Sequence, residues 1–449
     1  MLAVLSLPWP YIAGLGALPA LLLAPILPKG EATNLRLLAA VWGFGLTLDY
    51  ALLLLVRSLF LAMALGALLA VGFGLAGLWV CRDRFRRLPV PKLWIATAIL
   101  LVIGVFVIVL DPLRDWDARS IWFFHGKMIY YGGMLAPEIG LDLREVPWPQ
   151  YPMLVPVLAG EVAAVAGFWN EYLPKLALAL LLPVPILAVL GLRHRPVTMT
   201  LAVLGFYFIP REYLSNGSMD GYLAVYAGAA ALFLVDWLER GGDAALLAAA
   251  GALGVVGGLK IEGQIVYLAF AVGLVIFLVW HRPALSRPSL PALLLLPLPF
   301  AGFILWHALR ISWSLPSEPF TFAHAWPRLT DPAALTQIAT AVFLDRRVVA
   351  SFLALVAAAT LAWIRGRRLP PMVWLPLMMA LAYFAGIFVV LPMSPADLTW
   401  QLSAAMRITR TGSALLLVAA IVVLRDCEPD WALPFQLKLG KRNHDPSAA

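Results

Sequence analysis

Long apolar runs separated by short polar segments dominate the chain. They fall at roughly 8–27, 35–56, 59–80, 93–110, 174–192, 197–210, 221–238, 244–259, 263–280, 291–308, 346–364, 371–391 and 411–424. Most have the length that crosses ~30 Å of hydrocarbon as a helix. The pattern predicts an all-α polytopic integral membrane protein with about 13 transmembrane helices and a non-cytoplasmic loop carrying interfacial helices. Orientation follows from the basic clusters "CRDRFRRLPVPK" (81–92), "RGRR" (365–368) and "KLGKRNH" (438–444), because positive charge is retained on the cytoplasmic side. Counting outward from them places segments 111–150, 309–345 and 393–407 on the opposite face. Segment 211–221 joins them if "RHR" (193–195) is cytoplasmic. The parity fails if 151–168 is a full crossing. Pro152, Pro156, Gly160, Glu161 and Gly167 make that stretch a poor lipid-facing helix, so it is expected to be re-entrant or packed against other helices.

Composition agrees with this reading. Of 449 residues, 62% are hydrophobic and 13% charged, and the mean hydropathy is +0.88, far from a soluble domain. The net charge of +8 lies in short clusters between spans, which encodes orientation and disfavours nucleic-acid binding. Cys81 and Cys427, both beside basic clusters, suggest neither a disulfide framework nor a thiolate metal site. The opening stretch lacks a basic n-region and a clear cleavage site, and is expected to be a retained first span. Residues 1–92 then form an N-terminal unit of extra transmembrane helices and a basic loop, 93–424 the main unit, and 425–449 a cytoplasmic tail. No repeat of 20 to 50 residues is visible.

The densest candidate chemistry lies in "RDWDARSIWFFHGKMIYYGG" (114–133), directly after an apolar run. Asp111 precedes Pro112 as a span terminator, Asp115 can pair with Arg114 or Arg119, and Asp117 can cap a helix beginning at Ala118. On that helix Trp122, Lys127, Tyr130 and Tyr131 alternate polar and aromatic groups, as in a segment lying in the interface plane with its rings at headgroup level. Asp115 and Asp117 would stand at the lip of a cavity. Further along, Gly132-Gly133 and "PWPQYP" (147–152) shape the loop, and Glu138, Asp142 and Glu145 read as solvated charges.

Three later sites add charge beside spans. Lys260 and Glu262 sit at a break between two apolar runs, where Gly257, Gly258 and Gly263 leave the backbone open; a snorkelling lysine is the alternative. Asp220 is a lone acid at the mouth of a span, with helix capping as its plain reading. Arg407, with Arg410 behind it, precedes the last span on the non-cytoplasmic side, against the positive-inside bias. A bound phosphate or helix packing would each account for it. The six histidines show no metal-ligand spacing, and no Walker loop, nucleophile elbow or dinucleotide fingerprint occurs.

Taken in order, these motifs resemble the polytopic GT-C glycosyltransferases, in particular the protein-mannosyltransferase and aminoarabinose-transferase branch. "WDARSIWFFHGKMIYYGG" is similar to its W-D-A, I-W, lysine, aromatic and G-G pattern, and "YPMLVPVL" to its Tyr-Pro-Leu-Leu-x-Pro segment. "SMDGYLAVY" matches its acid at a span mouth, "GLKIEG" its Lys-x-Glu-Gly, and "ADLTWQLSAAMR" its late Asp-Leu-x-Trp motif followed by an arginine. The likeness runs from residue 111 to 410. Gln401 stands where the late motif has His, the first loop follows about four spans rather than one, and no large C-terminal soluble domain is present.

The resemblance implies inverting transfer of a sugar from a polyprenyl-phosphate donor to a lipid, glycan or protein acceptor on the non-cytoplasmic face. It implies Asp117 as general base, with Asp115 as second candidate. Lys260 and Arg407 would hold the leaving phosphate, with Lys127 as a weaker possibility. Glu262 would orient Lys260, and Asp220, Trp122 and Tyr151 would support the site. A divalent cation could bind Asp115 and Asp117, although two acids are few ligands. The expected location is a bacterial inner (plasma) membrane, with the site facing the periplasm or exterior. A secondary transporter, or a lipid-carrier flippase or polysaccharide polymerase, is the alternative reading.

Overall fold

The computed structural model describes residues 6–86, 102, 104–136, 148–192, 194–283, 286–316 and 320–428. The greater part of the expected span 93–110, the loop acids Glu138, Asp142 and Glu145, residues 87–92 of the basic cluster 81–92 and the tail marker 438–444 lie outside these residues. Among the described residues the chain is all-α, with one isolated bridge between Ser58 and Met134. Nine of its helices are long and apolar enough to cross a membrane, and four more apolar helices are shorter. The chain is therefore a polytopic membrane protein by length and composition of its helices.

Several expected spans change shape for local reasons. The first run forms two short helices, Pro8–Leu15 and Leu18–Leu23, joined at Gly16. A Cβ at Gly16 would lie 1.8 Å from the Val41 carbonyl oxygen, so only glycine allows these helices to press onto the helix Glu31–Val56. Segment 309–345 was expected as a polar loop, yet it carries the helices Phe322–Thr330 and Pro332–Phe343. The last span was expected at 411–424 and begins instead at Leu398, running unbroken to Cys427. Its 30 residues extend ~45 Å. A hydropathy window misses its first turns because Gln401 and Arg410 lower the average. Both are buried, at 0% and 3% exposure, so these polar residues face protein rather than lipid.

Contacts sort the connections into two ends. At one end Arg195 donates to the carbonyls of Arg425 and Glu428, Arg365 donates to the Cys427 carbonyl at 2.7 Å, and Arg425 meets Glu239 at 2.5 Å. These join "RHR", "RGRR" and the end of the last helix, as the basic markers require. At the other end Asp117, Asp220 and Arg407 meet, Arg57 lies 5.6 Å over the Trp313 ring, and Trp306 donates to the Gln150 carbonyl at 3.2 Å. All the segments assigned to the non-cytoplasmic face thus share one end.

The parity problem at 151–168 also closes. The helix there, Leu154–Ala166, has 13 residues and spans ~20 Å. The chain after it returns to where it started: Lys127 and Glu171 are 3.7 Å apart, and the Lys175 ammonium donates to the Asp111 carbonyl. Its buried face, including Glu161 and Gly160, packs on the helix Phe123–Gly132, where Gly126 leaves room for the Pro156 carbonyl. The segment begins and ends at the same end of the bundle.

Single cysteines placed in a cysteine-free background test this grouping. Cysteines at Ser58 and Ser314 should react with an impermeant maleimide from one face of sealed vesicles, and cysteines at His194 and Gly366 from the other; labelling of 58 and 366 from the same face would contradict the arrangement.

Candidate functional site

Four separate stretches bring charge to the end of the bundle that carries segments 111–150 and 393–407. Asp115 and Asp117 come from the turn into the helix at 116–132, Asp220 from the first turn of the helix Met219–Arg240, Lys260 and Glu262 from the break after the helix Asp243–Leu259, and Arg407 from the early turns of Leu398–Cys427. Lys260 is extended (φ −156°, ψ 155°), which ends its helix and turns the side chain inward. It is 3% exposed, so it does not snorkel. Its ammonium lies 2.8 Å from Asp220 and 3.0 Å from Glu262. Arg407 links the two halves, 2.7 Å from Asp117 and 3.9 Å from Asp220. The result is a chain of ion pairs running Glu262, Lys260, Asp220, Arg407, Asp117.

Asp117 does not cap the helix that follows it. Its backbone is already helical (φ −58°, ψ −39°) and its carboxylate accepts no capping hydrogen bond. Asp115 serves that end instead, accepting the Asp117 N–H at 2.9 Å, so Asp117 is free to turn to Arg407. Nor does Asp115 show the expected pairing with Arg114, which lies 3.1 Å from Asp111. Residues 118–122 are wound as a π turn, a form often found at functional sites. Asp220 likewise leaves capping aside: it faces Lys260 and accepts from the Ser218 hydroxyl at 3.1 Å.

The approach of these stretches depends on Gly217. Its φ is +93°, and a Cβ there would fall 2.6 Å from the Ala118 Cβ. Only glycine combines that backbone with that closeness. Asn216 beside it reaches Asp115 at 3.5 Å.

Aromatic rings wall the cluster. Trp122, expected at headgroup level, is instead 1% exposed and packs 5.3 Å from Tyr151. Tyr151 is 6.0 Å from Trp148, which stacks on Trp400 at 6.3 Å and 14°. Trp148 and Trp400 were not singled out from the sequence; the available signal was the recurrence of Trp in "PWPQYP" and in the late Asp-Leu-x-Trp motif. Lys127 is not drawn into the ion-pair chain among the described residues, and its ammonium faces Glu171. Gln401 is a brace: its amide donates to the carbonyls of Ser394 and Ala396, both at 3.2 Å. Arg410 is another, donating to Ile209 and Pro210 carbonyls and lying 3.7 Å over the Tyr213 ring.

Among the described residues, the buried polar atoms at the cluster without a protein partner include the Arg407 Nε and Glu262 Oε2, and around it the Trp122 Nε1 and Gln401 Oε1. Buried polar groups are normally hydrogen-bonded, so these are where an additional ligand would make contact. No group of three or more His, Cys, Asp or Glu is placed to hold a metal ion among the described residues. No protein-family model, curated protein or solved structure matches the chain.

The carboxyl of Asp115 is raised above the usual aspartate range, first by burial and then by the charge of Asp117. The folded chain therefore keeps this proton to higher pH than the unfolded chain does. Its contribution to stability is present below the unfolded value and is lost as pH rises through the folded one. In infrared difference titrations the Asp115 band should ionise above the ordinary aspartate range, and Asp117→Asn should move it down; an unchanged or higher position would contradict the coupling. Removing one member of the buried pair has a second consequence. Lys260→Met leaves the Asp220 carboxylate buried without its nearest cation and should destabilise the protein by about 3–5 kcal/mol, with the Asp220→Asn/Lys260→Met double variant recovering part of the loss. Thermal unfolding in detergent measures both.

Proposed function

We propose that the chain is a membrane glycosyltransferase of GT-C type, which moves a sugar from a polyprenyl-phosphate donor to a hydroxyl acceptor at the non-cytoplasmic face. The observation that carries this reading is the Arg407–Asp117 contact at 2.7 Å, with Lys260 and Asp220 behind it. It sets a base candidate and a phosphate-binding cation side by side at the end of a bundle of apolar helices. A lipid-linked donor needs that combination, because its hydrocarbon stays in the bilayer while its phosphate sits at the interface.

The chemistry is a single displacement. Asp117 accepts the acceptor hydroxyl proton, the oxygen bonds to the anomeric carbon, and the bond from that carbon to the phosphate oxygen breaks. The electron pair leaves with the polyprenyl phosphate, whose growing charge Arg407 and Lys260 offset. Arg407 can reach the phosphate through its unpartnered Nε while its Nη1 holds Asp117. Asp115 is the second carboxyl, its pKa raised by burial and by the charge of Asp117. Trp148, Tyr151 and Trp400 offer flat apolar faces against which a sugar ring can lie.

Purified protein incubated with radiolabelled polyprenyl-phosphate sugars and membrane lipids provides the test. Transfer should be detected with one such donor, and Asp117→Asn should lower it by ~10²–10⁴. Full transfer by Asp117→Asn would remove the base from Asp117, and no transfer from any common donor would remove the enzymatic reading.

A further inference from the structure

Outside the ion-pair chain, a second group of polar side chains lies inside the N-terminal half of the bundle. Asp49, on Glu31–Val56, is 1% exposed, and Glu161, on Leu154–Ala166, is 7% exposed. The two side chains lie close enough to act on each other electrostatically, and Asp49 Oδ2 and Glu161 Oε1 are buried without a hydrogen-bond partner among the described residues. The Tyr11 hydroxyl donates to Asp49 Oδ1 at 2.6 Å. It fits there because residue 66 is glycine, whose Cβ, if present, would lie 2.2 Å from that hydroxyl. Among the described residues no lysine, arginine or histidine acts on either acid. Acidic groups buried in a low-dielectric interior with neither a cation nor a donor on these oxygens are costly. Polar groups of this kind inside a membrane helix bundle mark functional sites.

Glu161 does not face solid protein, and Asp49 stands behind it. Glu161 and Tyr11 line a cavity of about 220 Å³ whose other walls include Ile12, Met63 and Leu158. That cavity shares Leu7, Tyr11 and Ala67 with a larger one of about 570 Å³ between the first short helices and Leu59–Arg86. The larger cavity is walled by small residues, among them Gly14, Ala17, Ala70 and Gly74, and its size is that of a ligand pocket. Its cation, Arg84, offers a ligand little, because its N–H groups are bonded to the carbonyls of Ala24, Leu27 and Pro28 and to the Asn34 side chain. The combined space is an apolar groove with an acidic end.

We propose that this groove binds an amphiphile carrying a protonated amine, its hydrocarbon chain lying along the small-residue wall and its ammonium against Glu161 and Asp49. A protonated amine brings positive charge and N–H donors to carboxyl oxygens that have no hydrogen-bond partner among the described residues, and the apolar walls match a single chain. An anionic headgroup would meet the acids with the wrong sign. The site uses none of the residues of the ion-pair chain, so it stands or falls independently of the glycosyl-transfer reading.

Equilibrium binding of radiolabelled dodecylamine to the full-length purified protein, with unlabelled dodecylamine or dodecanol as competitor, tests it. Binding should be saturable, dodecanol should compete at least tenfold less well than dodecylamine, and Glu161→Gln or Asp49→Asn should weaken binding at least tenfold. Ala67→Trp, which fills the groove and leaves both acids in place, should block it. Equal competition by dodecanol, or unchanged binding in Glu161→Gln, would show a groove that takes hydrocarbon alone and would overturn the proposal. Should an acid variant fail to fold, the dodecanol competition and Ala67→Trp still decide.

Discussion

The buried contact between Lys260 and Asp220 is the interaction on which the charged end of the bundle depends. Both side chains are almost wholly removed from solvent, at 3% and 1% exposure, and neither is tolerable there without the other. The pair ties the start of the helix Met219–Arg240 to the break after Asp243–Leu259. Arg407 then reaches from the last helix to Asp220 and to Asp117, so one continuous set of charges orders segments that are far apart in sequence. Without it, the loop bearing Asp115 and Asp117 would be held mainly by its aromatic contacts and by the close approach at Gly217.

This constraint explains why polar residues occur inside so apolar a chain. In hydrocarbon a charged side chain survives where it faces the bundle interior or a polar cavity and has a partner. Arg407, Arg410 and Gln401 lie along the first turns of the longest helix and all face inward, but they do different work. Arg410 and Gln401 satisfy backbone carbonyls of neighbouring segments. Arg407 alone of the three holds a carboxylate. The two arginines at the start of this helix thus differ: one joins a chain of ion pairs and the other braces the backbone.

Much of this was legible in the sequence, and the limits have physical causes. Runs of hydrophobic residues located the long helices because burial in lipid requires them, and the basic clusters sorted the loops to two ends. The motif order brought Asp117, Asp220, Lys260, Glu262 and Arg407 forward as candidates, and the structure places them in one cluster. Sequence periodicity failed where tertiary packing decides. It could not show that Asp115 takes the capping role and frees Asp117, since both are equally good caps in isolation. It placed Trp122 at the interface, where the structure buries it, because aromatic belts and buried aromatics have the same composition. Asp49 carried no local signal at all: its partners Tyr11 and Glu161 lie 38 and 112 positions away, and only the folded bundle joins them.

The role proposed for the ion-pair cluster is to hold the phosphate of a lipid carrier. The most direct measurement is the binding of polyprenyl phosphate to the full-length protein in nanodiscs, compared between the wild type and Arg407→Gln. The account predicts saturable binding that Arg407→Gln weakens at least tenfold while inorganic phosphate competes poorly. Binding of equal strength in the two proteins would contradict it.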